Sequence, residues 1–182
     1  MDIVQMKAEL RQLTLGAVKR GSVRLSSGIV SDFYFDGRQV TLMPEGAYYI
    51  AHIMGEMLND VEYEGIGGPT MGADPIIGAL CYYLFTVKNK DVSGFIVRKE
   101  AKAHGLGKMV EGPELKPGAK VVMVEDVVTS GGSILKAAKA VEEGGSKIVK
   151  MLALLDREEG ATEALTEAGY DFESIFARSD LE

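Results

Sequence analysis

Cys81 is the only cysteine in 182 residues, so no intramolecular disulfide can form and no thiolate metal cluster can be assembled. Long apolar stretches are missing too: no uninterrupted run approaches the ~18 to 20 residues of a membrane helix. Residues 1–21 mix charges through an amphipathic pattern, without the basic start, apolar centre and small-residue cleavage site of a secretion signal. The chain is therefore expected to work in the cytoplasm, away from membranes. Positive charge is scarce, with 20 Lys and Arg against 27 Asp and Glu and a net charge of −7. Proteins whose main partner is nucleic acid usually carry the opposite balance. No nucleic-acid partner is expected, and any anion site must be a local basic cluster on an acidic body.

What is present is the composition of an ordinary globular protein, 46% hydrophobic and 26% charged, and the length suits one domain with a proper core. Ile3, Met6, Leu10, Leu13 and Ala17 recur at helical spacing and predict a first helix that stops at Gly21. Residues 22–25 and 33–35 read as short strands around the turn-rich Ser26-Ser27-Gly28, and Pro44 is placed to open a helix towards Asp60. Strand patterns then cover 94–97, 121–124, 148–155 and 172–176, alternating with helix patterns over 73–85, 133–143 and 158–168. Strands apolar on both faces that alternate with helices imply an α/β fold, a mostly parallel sheet flanked by helices. The expected organisation is one domain over 1–182. Residues 1–40 supply a helix and a hood that packs with the C-terminal tail, and 41–182 supply the core and tail.

The most informative stretch runs from Glu125 to Ser133, directly after an apolar strand. Ligands of open α/β sheets bind outside the carboxyl ends of the strands, and the adjacent Glu125 and Asp126 arrive at that edge with acceptors suited to two ribose hydroxyls. Gly131 and Gly132 permit close backbone approach, while Thr129, Ser130, Ser133 and the amides of the following helix can donate to a phosphate. A plain strand, turn and N-capping serine is the alternative, but such a turn needs only one or two of these residues. The loop is neither Gly-x-x-x-x-Gly-Lys-Ser/Thr nor a dinucleotide Gly-x-Gly-x-x-Gly, which moves the reading from nucleoside triphosphates towards a phosphorylated sugar. No His/Asp/Glu cluster has the spacing of a protein metal site, and Cys81 and His52 are given no role.

This stretch resembles the fingerprint of the type I phosphoribosyltransferases, in which an acidic pair and a Thr/Ser-Gly-Gly turn hold the ribose 5-phosphate of phosphoribosyl pyrophosphate (PRPP). The resemblance implies a PRPP site made of Glu125, Asp126, Val127, Val128, Thr129, Ser130, Gly131, Gly132 and Ser133. A second segment narrows it. Four Lys or Arg and one His fall within the eleven residues from Arg98 to Lys108. A charged run is usually a solvated loop, yet Arg98-Lys99-Glu100-Ala101-Lys102-Ala103-His104-Gly105 is similar to the mobile loop of the orotate phosphoribosyltransferases, which closes over PRPP in the neighbouring subunit. That implies a homodimer, with Arg98, Lys99, Lys102 and His104 binding pyrophosphate in trans.

Three further segments extend the resemblance from about residue 20 to the end. The stretch 25–38 looks like the family's hood, where Tyr34 or Phe35 would stack on the orotate ring, although a strand aromatic is often simple core. Pro69, Thr70, Met71 and Gly72 could cradle pyrophosphate with their backbone. Asp156-Arg157-Glu158-Glu159 matches the segment that makes Arg157 the fork for the orotate carboxylate, the alternative being an ion pair with Asp156 or Glu159; Thr129 joins the orotate contacts. Two departures stand out: Ser26 occupies the place where many relatives carry a lysine, and the loop at 67–74 has none. The resemblance implies Mg²⁺-dependent transfer of ribose 5-phosphate from PRPP to orotate in pyrimidine nucleotide synthesis, with Mg²⁺ arriving on PRPP and Lys99, Lys102, His104 and Asp126 in catalytic roles. A sister enzyme for another nucleobase would share 125–133 but has no particular need of the basic loop or of Asp156-Arg157. A non-catalytic PRPP-responsive regulator should carry a DNA-binding extension or a basic RNA-binding face.

Overall fold

A computed structural model describes residues 1–24, 30–100 and 109–182; within 22–24 and 30–32 only the backbone is described. The sequence predicts a parallel sheet because its central strands are apolar on both faces, and that sheet is present. Six strands lie in the order β5-β4-β3-β6-β7-β8. They are β3 (Gly65–Pro69), β4 (Ser93–Val97), β5 (Val110–Glu111), β6 (Lys120–Val128), β7 (Lys147–Asp156) and β8 (Phe172–Ala177). All neighbours pair in parallel except β5, which runs against β4.

Successive strand residues point to opposite faces, and β6 shows what that does here. Val122 and Val124 pack under α1 (Ile3–Ala17), α3 (Pro44–Met57) and α4 (Asp74–Thr86), whereas Val121 and Met123 pack under α5 (Gly132–Glu143) and α6 (Ala161–Glu167). Burial on both faces excludes water from the ladder and contributes roughly 1.5 to 3 kcal/mol per large side chain. By the same alternation Glu125 belongs to the α5 face and Asp126 to the α4 face.

Several boundaries differ from the sequence pattern. The first helix ends at Ala17, not at Gly21, because Val18 turns extended and pairing with an aromatic strand takes over. The resulting ribbon joins β1 (Val18–Arg24) to β2 (Val30–Phe35), with Val18 opposite Phe35 and Lys19 opposite Tyr34. Gly21 marks the irregularity in its register. β6 does not stop at Val124 but carries the acidic pair inside the strand, because β7 continues beside it to the Val128/Asp156 pair. The last helix begins at Ala161 rather than at Glu158. Asp156 accepts the Glu158 N–H at 2.9 Å and the Thr162 hydroxyl at 2.6 Å, and Glu158 is left-handed at φ 56°, so 157–160 is a turn. The short helix α2 (Arg38–Thr41), β3 and β5 carry no clear pattern of their own. β3 reads Gly-Ile-Gly-Gly-Pro, a poor strand by composition, and is central because Gly67 leaves room for the Phe95 ring that packs there.

The N-terminal segment and the tail pack against each other. Arg11 Nε donates to the Asp180 carbonyl at 2.6 Å, and Arg20 Nη2 to that of Leu181 at 2.7 Å. The Arg178 guanidinium lies 5.1 Å from the centre of the Phe33 ring. Together these contacts fix the β1–β2 ribbon over the carboxyl ends of the sheet strands.

Candidate functional site

The cleft at that end exists because two neighbouring strands have different lengths. β3 pairs with β6 only as far as Gly67 opposite Met123, while β6 runs on beside β7 alone. The overhanging piece of β6 holds Glu125 and Asp126, and beyond Pro69 the chain turns away through Thr70, Met71 and Gly72 into α4. A cavity of about 320 Å³ opens between these segments, roofed by Tyr34 to Arg38 of the hood and bordered by Lys99, Val127 and Ser133.

Two glycines let the walls close on the acidic pair. A Cβ at Gly37 would overlap the Asp126 carboxyl, and one at Gly72 would overlap both Asp126 Oδ1 and Glu125 Oε1. Glu125 is only 6% exposed. Burial, and then the neighbouring Asp126 charge, push its carboxyl up to about 9. Asp126 is raised as well, again chiefly by burial, against hydrogen bonds that favour its charge, among them the Val127 N–H at 2.9 Å. Two carboxyls this close titrate as a pair, and burial raises both, so near neutral pH the pair retains a proton.

The cleft gathers Tyr34, Phe35, Lys99, Glu125, Asp126, Val127 and Ser133 from the sequence-predicted set, with Lys99 bordering the cleft of its own chain where the resemblance implies a role in trans. Phe35 is buried in the core and Tyr34 is half-buried, and both border the cleft. Val128 is core. Thr129, Ser130 and Gly131 form the turn between β6 and α5 and Gly132 is the first residue of α5; none of the four is in the lining of the cleft. Gly131 is left-handed at φ 77° in the N-cap position, which a side chain would resist. Ser133 is not the N-cap; it lies inside the helix and faces the cleft.

Arg98, for which the resemblance implies a role in trans, does not border the cleft of its own chain. It lies 3.8 Å from Glu111 and bonds the Glu100 carbonyl. Lys102 and His104 lie outside the described residues. Arg157 is 8% exposed beneath the hood, its Nη2 donating to the Phe33 carbonyl at 3.3 Å and pairing with Glu159 at 2.6 Å, and it does not border the cleft. The ion pair with Glu159 is the alternative considered for it from sequence. Sequence reasoning gave no role to Gly37 or Arg38; their one signal is the Asp36-Gly37-Arg38 run that closes the aromatic strand. His52 stacks between Tyr48 and Tyr83, and burial raises the Cys81 thiol.

A family model for the phosphoribosyl transferase domain matches residues 38–168. The orotate phosphoribosyltransferase of Rhodopseudomonas palustris (strain BisB5) is 46% identical over 165 residues, which cover 89% of this chain and 88% of that one. The chain belongs to the orotate phosphoribosyltransferase family. A relative of the same name from Corynebacterium glutamicum (strain R) is 39% identical over 179 residues, 98% of this chain and 95% of its own. Among solved structures, Mycobacterium tuberculosis H37Rv orotate phosphoribosyltransferase in complex with PRPP aligns at a TM-score of 0.80 and 30% identity, covering 98% of this chain and 92% of that one. The adenine phosphoribosyltransferase of Saccharomyces cerevisiae, at 17% identity and a TM-score of 0.71, shares the fold.

Proposed function

We propose that the protein transfers ribose 5-phosphate from PRPP to orotate, giving orotidine 5′-phosphate and pyrophosphate, a step of pyrimidine nucleotide synthesis. The observation that carries this reading is the meeting of the acidic pair, the hood aromatics and Lys99 in one cleft at the strand ends. A ring nitrogen of orotate forms a bond to the anomeric carbon as the bond from that carbon to the pyrophosphate oxygen breaks. The bonding pair leaves on pyrophosphate, and the proton of the ring nitrogen passes to the departing pyrophosphate or to solvent. Positive charge grows on the ribose, where Asp126 and Glu125 accept hydrogen bonds from its hydroxyls and the single negative charge that the pair retains stabilises it. Lys99, with Lys102 and His104 supplied by the second subunit, neutralises the departing pyrophosphate. Tyr34 covers the base, and the turn from Thr129 to Ser133 receives the 5-phosphate. Arg157 and Thr129 take the orotate carboxylate once the Glu159 pair opens.

Mg²⁺ fits these residues as a guest carried by PRPP. The carboxyl pair offers hard oxygen donors but holds a proton near neutral pH, so it suits a cation that brings most of its own ligands. When bound, the ion offsets pyrophosphate charge; Asp126 and Glu125 would hold its ribose side.

A homodimer is supported by exposed apolar side chains on α4 and at its C-terminal end, Tyr82 at 73%, Phe85 at 67% and Val87 at 58%, together with Tyr48 of α3. The net charge of −7 argues against a nucleic-acid partner, and among the described residues no helix is long and apolar enough to cross a membrane. Cytoplasmic action agrees with both. The test is orotate absorbance in the presence of PRPP and Mg²⁺, with uracil, adenine and hypoxanthine in parallel. Consumption of orotate alone, reduced on the order of 100-fold or more in Lys99→Ala on an oxyanion-type scale, is the expected result. Consumption of another base, or PRPP binding without turnover, overturns the reading.

A further inference from the structure

The cleft as described has few cations for a ligand as charged as pyrophosphate. Among the described residues, Lys99 and Arg38 are the cationic side chains that border it. Lys99 is an exposed loop residue. Arg38 is different, because its position is fixed before any ligand arrives. Its Nε donates to Asp36 Oδ1 at 2.8 Å and its Nη2 to Asp36 Oδ2 at 3.2 Å, and its own N–H reaches Oδ1 at 3.2 Å. This side-on pairing spends one edge of the guanidinium. The other edge, between Nη1 and Nη2, has no hydrogen-bond partner among the described residues, Asp126 attracting it only at longer range, and the side chain is 46% exposed. A planar fork with one edge held and the other open is suited to a second, bidentate anion.

Position decides which anion that is. Arg38 is preceded by Gly37, which packs directly on Asp126, and it opens α2, which packs against α4. α4 is the helix that comes after Pro69 to Gly72, so Arg38 lies on the Asp126 side of β6 with the Thr70–Gly72 turn. The turn at 129–133 and the α5 face are on the side of Glu125. Between a sugar phosphate at 129–133 and a leaving group at 69–72, Arg38 stands at the leaving group.

We infer that Arg38, held by Asp36, is a substrate-binding residue of the pyrophosphate end of the cleft, a cation delivered by the hood where the Pro69–Gly72 loop has none. This rests on the function proposed above. It also gives Asp36 a task as a positioning residue: to hold the guanidinium in the orientation in which its open edge faces the cleft.

The experiment compares the wild-type protein with Arg38→Ala, Arg38→Lys and Asp36→Asn. The readouts are KM for PRPP, KM for orotate, inhibition by inorganic pyrophosphate with Mg²⁺, and pyrophosphate affinity by calorimetry. Loss of a charge-assisted fork predicts a PRPP KM and a pyrophosphate dissociation constant raised together by about 10- to 100-fold in Arg38→Ala, with orotate KM changed less than about twofold. Arg38→Lys keeps the charge without the fork and falls between. Asp36→Asn keeps the cation and weakens pyrophosphate by about three- to tenfold. Unchanged pyrophosphate affinity in a folded Arg38→Ala, or a change confined to orotate KM, overturns the inference while leaving the activity standing. A wild-type protein that binds pyrophosphate through Arg38 but turns over no orotate supports the inference and refutes the reaction instead.

Discussion

Replacing Glu125 by Gln removes a carboxyl that the fold buries at a cost, and its titration sets the size of that cost. The group titrates near 4.5 in an unfolded chain and at about 9 in the folded one. Between those values the folded protein holds a proton that the unfolded chain has released, so stability falls as pH rises through the window. At pH 7.5 the gap from 4.5 is about three pH units, a ceiling of about 4 kcal/mol at ~1.36 kcal/mol per unit. Asp126 shares the titration and the site can relax, which leaves an expected gain of about 1 to 3 kcal/mol for Gln. In a chain of this length that is a rise in Tm of roughly 2 to 12 °C. Below pH 4.5 the carboxyl is protonated in both states, and the two proteins should melt together. Thermal denaturation from pH 4.5 to 8.5 reads the difference directly, which should grow with pH. Orotate turnover should fall only about 2- to 10-fold in the same variant, since the pair already holds a proton near neutral pH and the amide loses one oxygen acceptor toward the ribose hydroxyls rather than a charge. A Tm difference that does not change with pH, or a Gln variant less stable at pH 8, would mean that burial of this carboxyl costs the fold nothing.

Two other perturbations test the packing and the assembly. Gly72→Ala puts a Cβ into both carboxyls of the pair, so turnover should drop on the order of tenfold or more and stability by about 1 to 3 kcal/mol; Gly16→Ala in α1, where a Cβ meets nothing within 4 Å, should be neutral or stabilising by up to ~1 kcal/mol. Equal effects of the two in denaturant melts and rate assays would rule out the packing argument. Tyr82→Ser with Phe85→Glu should turn a dimer into a monomer by light scattering and abolish turnover that needs the second subunit's loop; an unaltered mass would remove α4 from the interface.

How far the sequence reaches depends on whether a feature is local. The run from Lys120 to Glu143 was legible because an apolar strand, two carboxyls, a glycine turn and a helix come one after another, and each has a period or a chemistry of its own. β3 was not, since Gly65, Gly67 and Gly68 give no strand signal and its place in the sheet is decided by Phe95 and Val124 packing across it. The end of α1 is hidden for a related reason: the apolar spacing ends at Ala17 and the next stop signal is Gly21, but pairing of Val18 to Arg20 with the aromatic strand ends the helix before it. In the site, the acidic pair, Lys99 and Tyr34 could be read from motifs. The contact of Gly37 and Gly72 with Asp126 joins segments far apart in the chain, and no local pattern encodes it. The Asp156-Arg157 run marks Arg157 as a candidate fork for the orotate carboxylate, but its burial under Phe33 depends on how the hood folds back, which no local pattern encodes.

The most direct measurement is a crystal structure of the protein with PRPP and Mg²⁺. The ribose hydroxyls should lie on Asp126 and Glu125, the 5-phosphate in the turn from Thr129 to Ser133, and the pyrophosphate between Lys99 and the Pro69–Gly72 loop. PRPP seated away from the acidic pair, or with its two ends exchanged, would show that the cleft does not work as proposed.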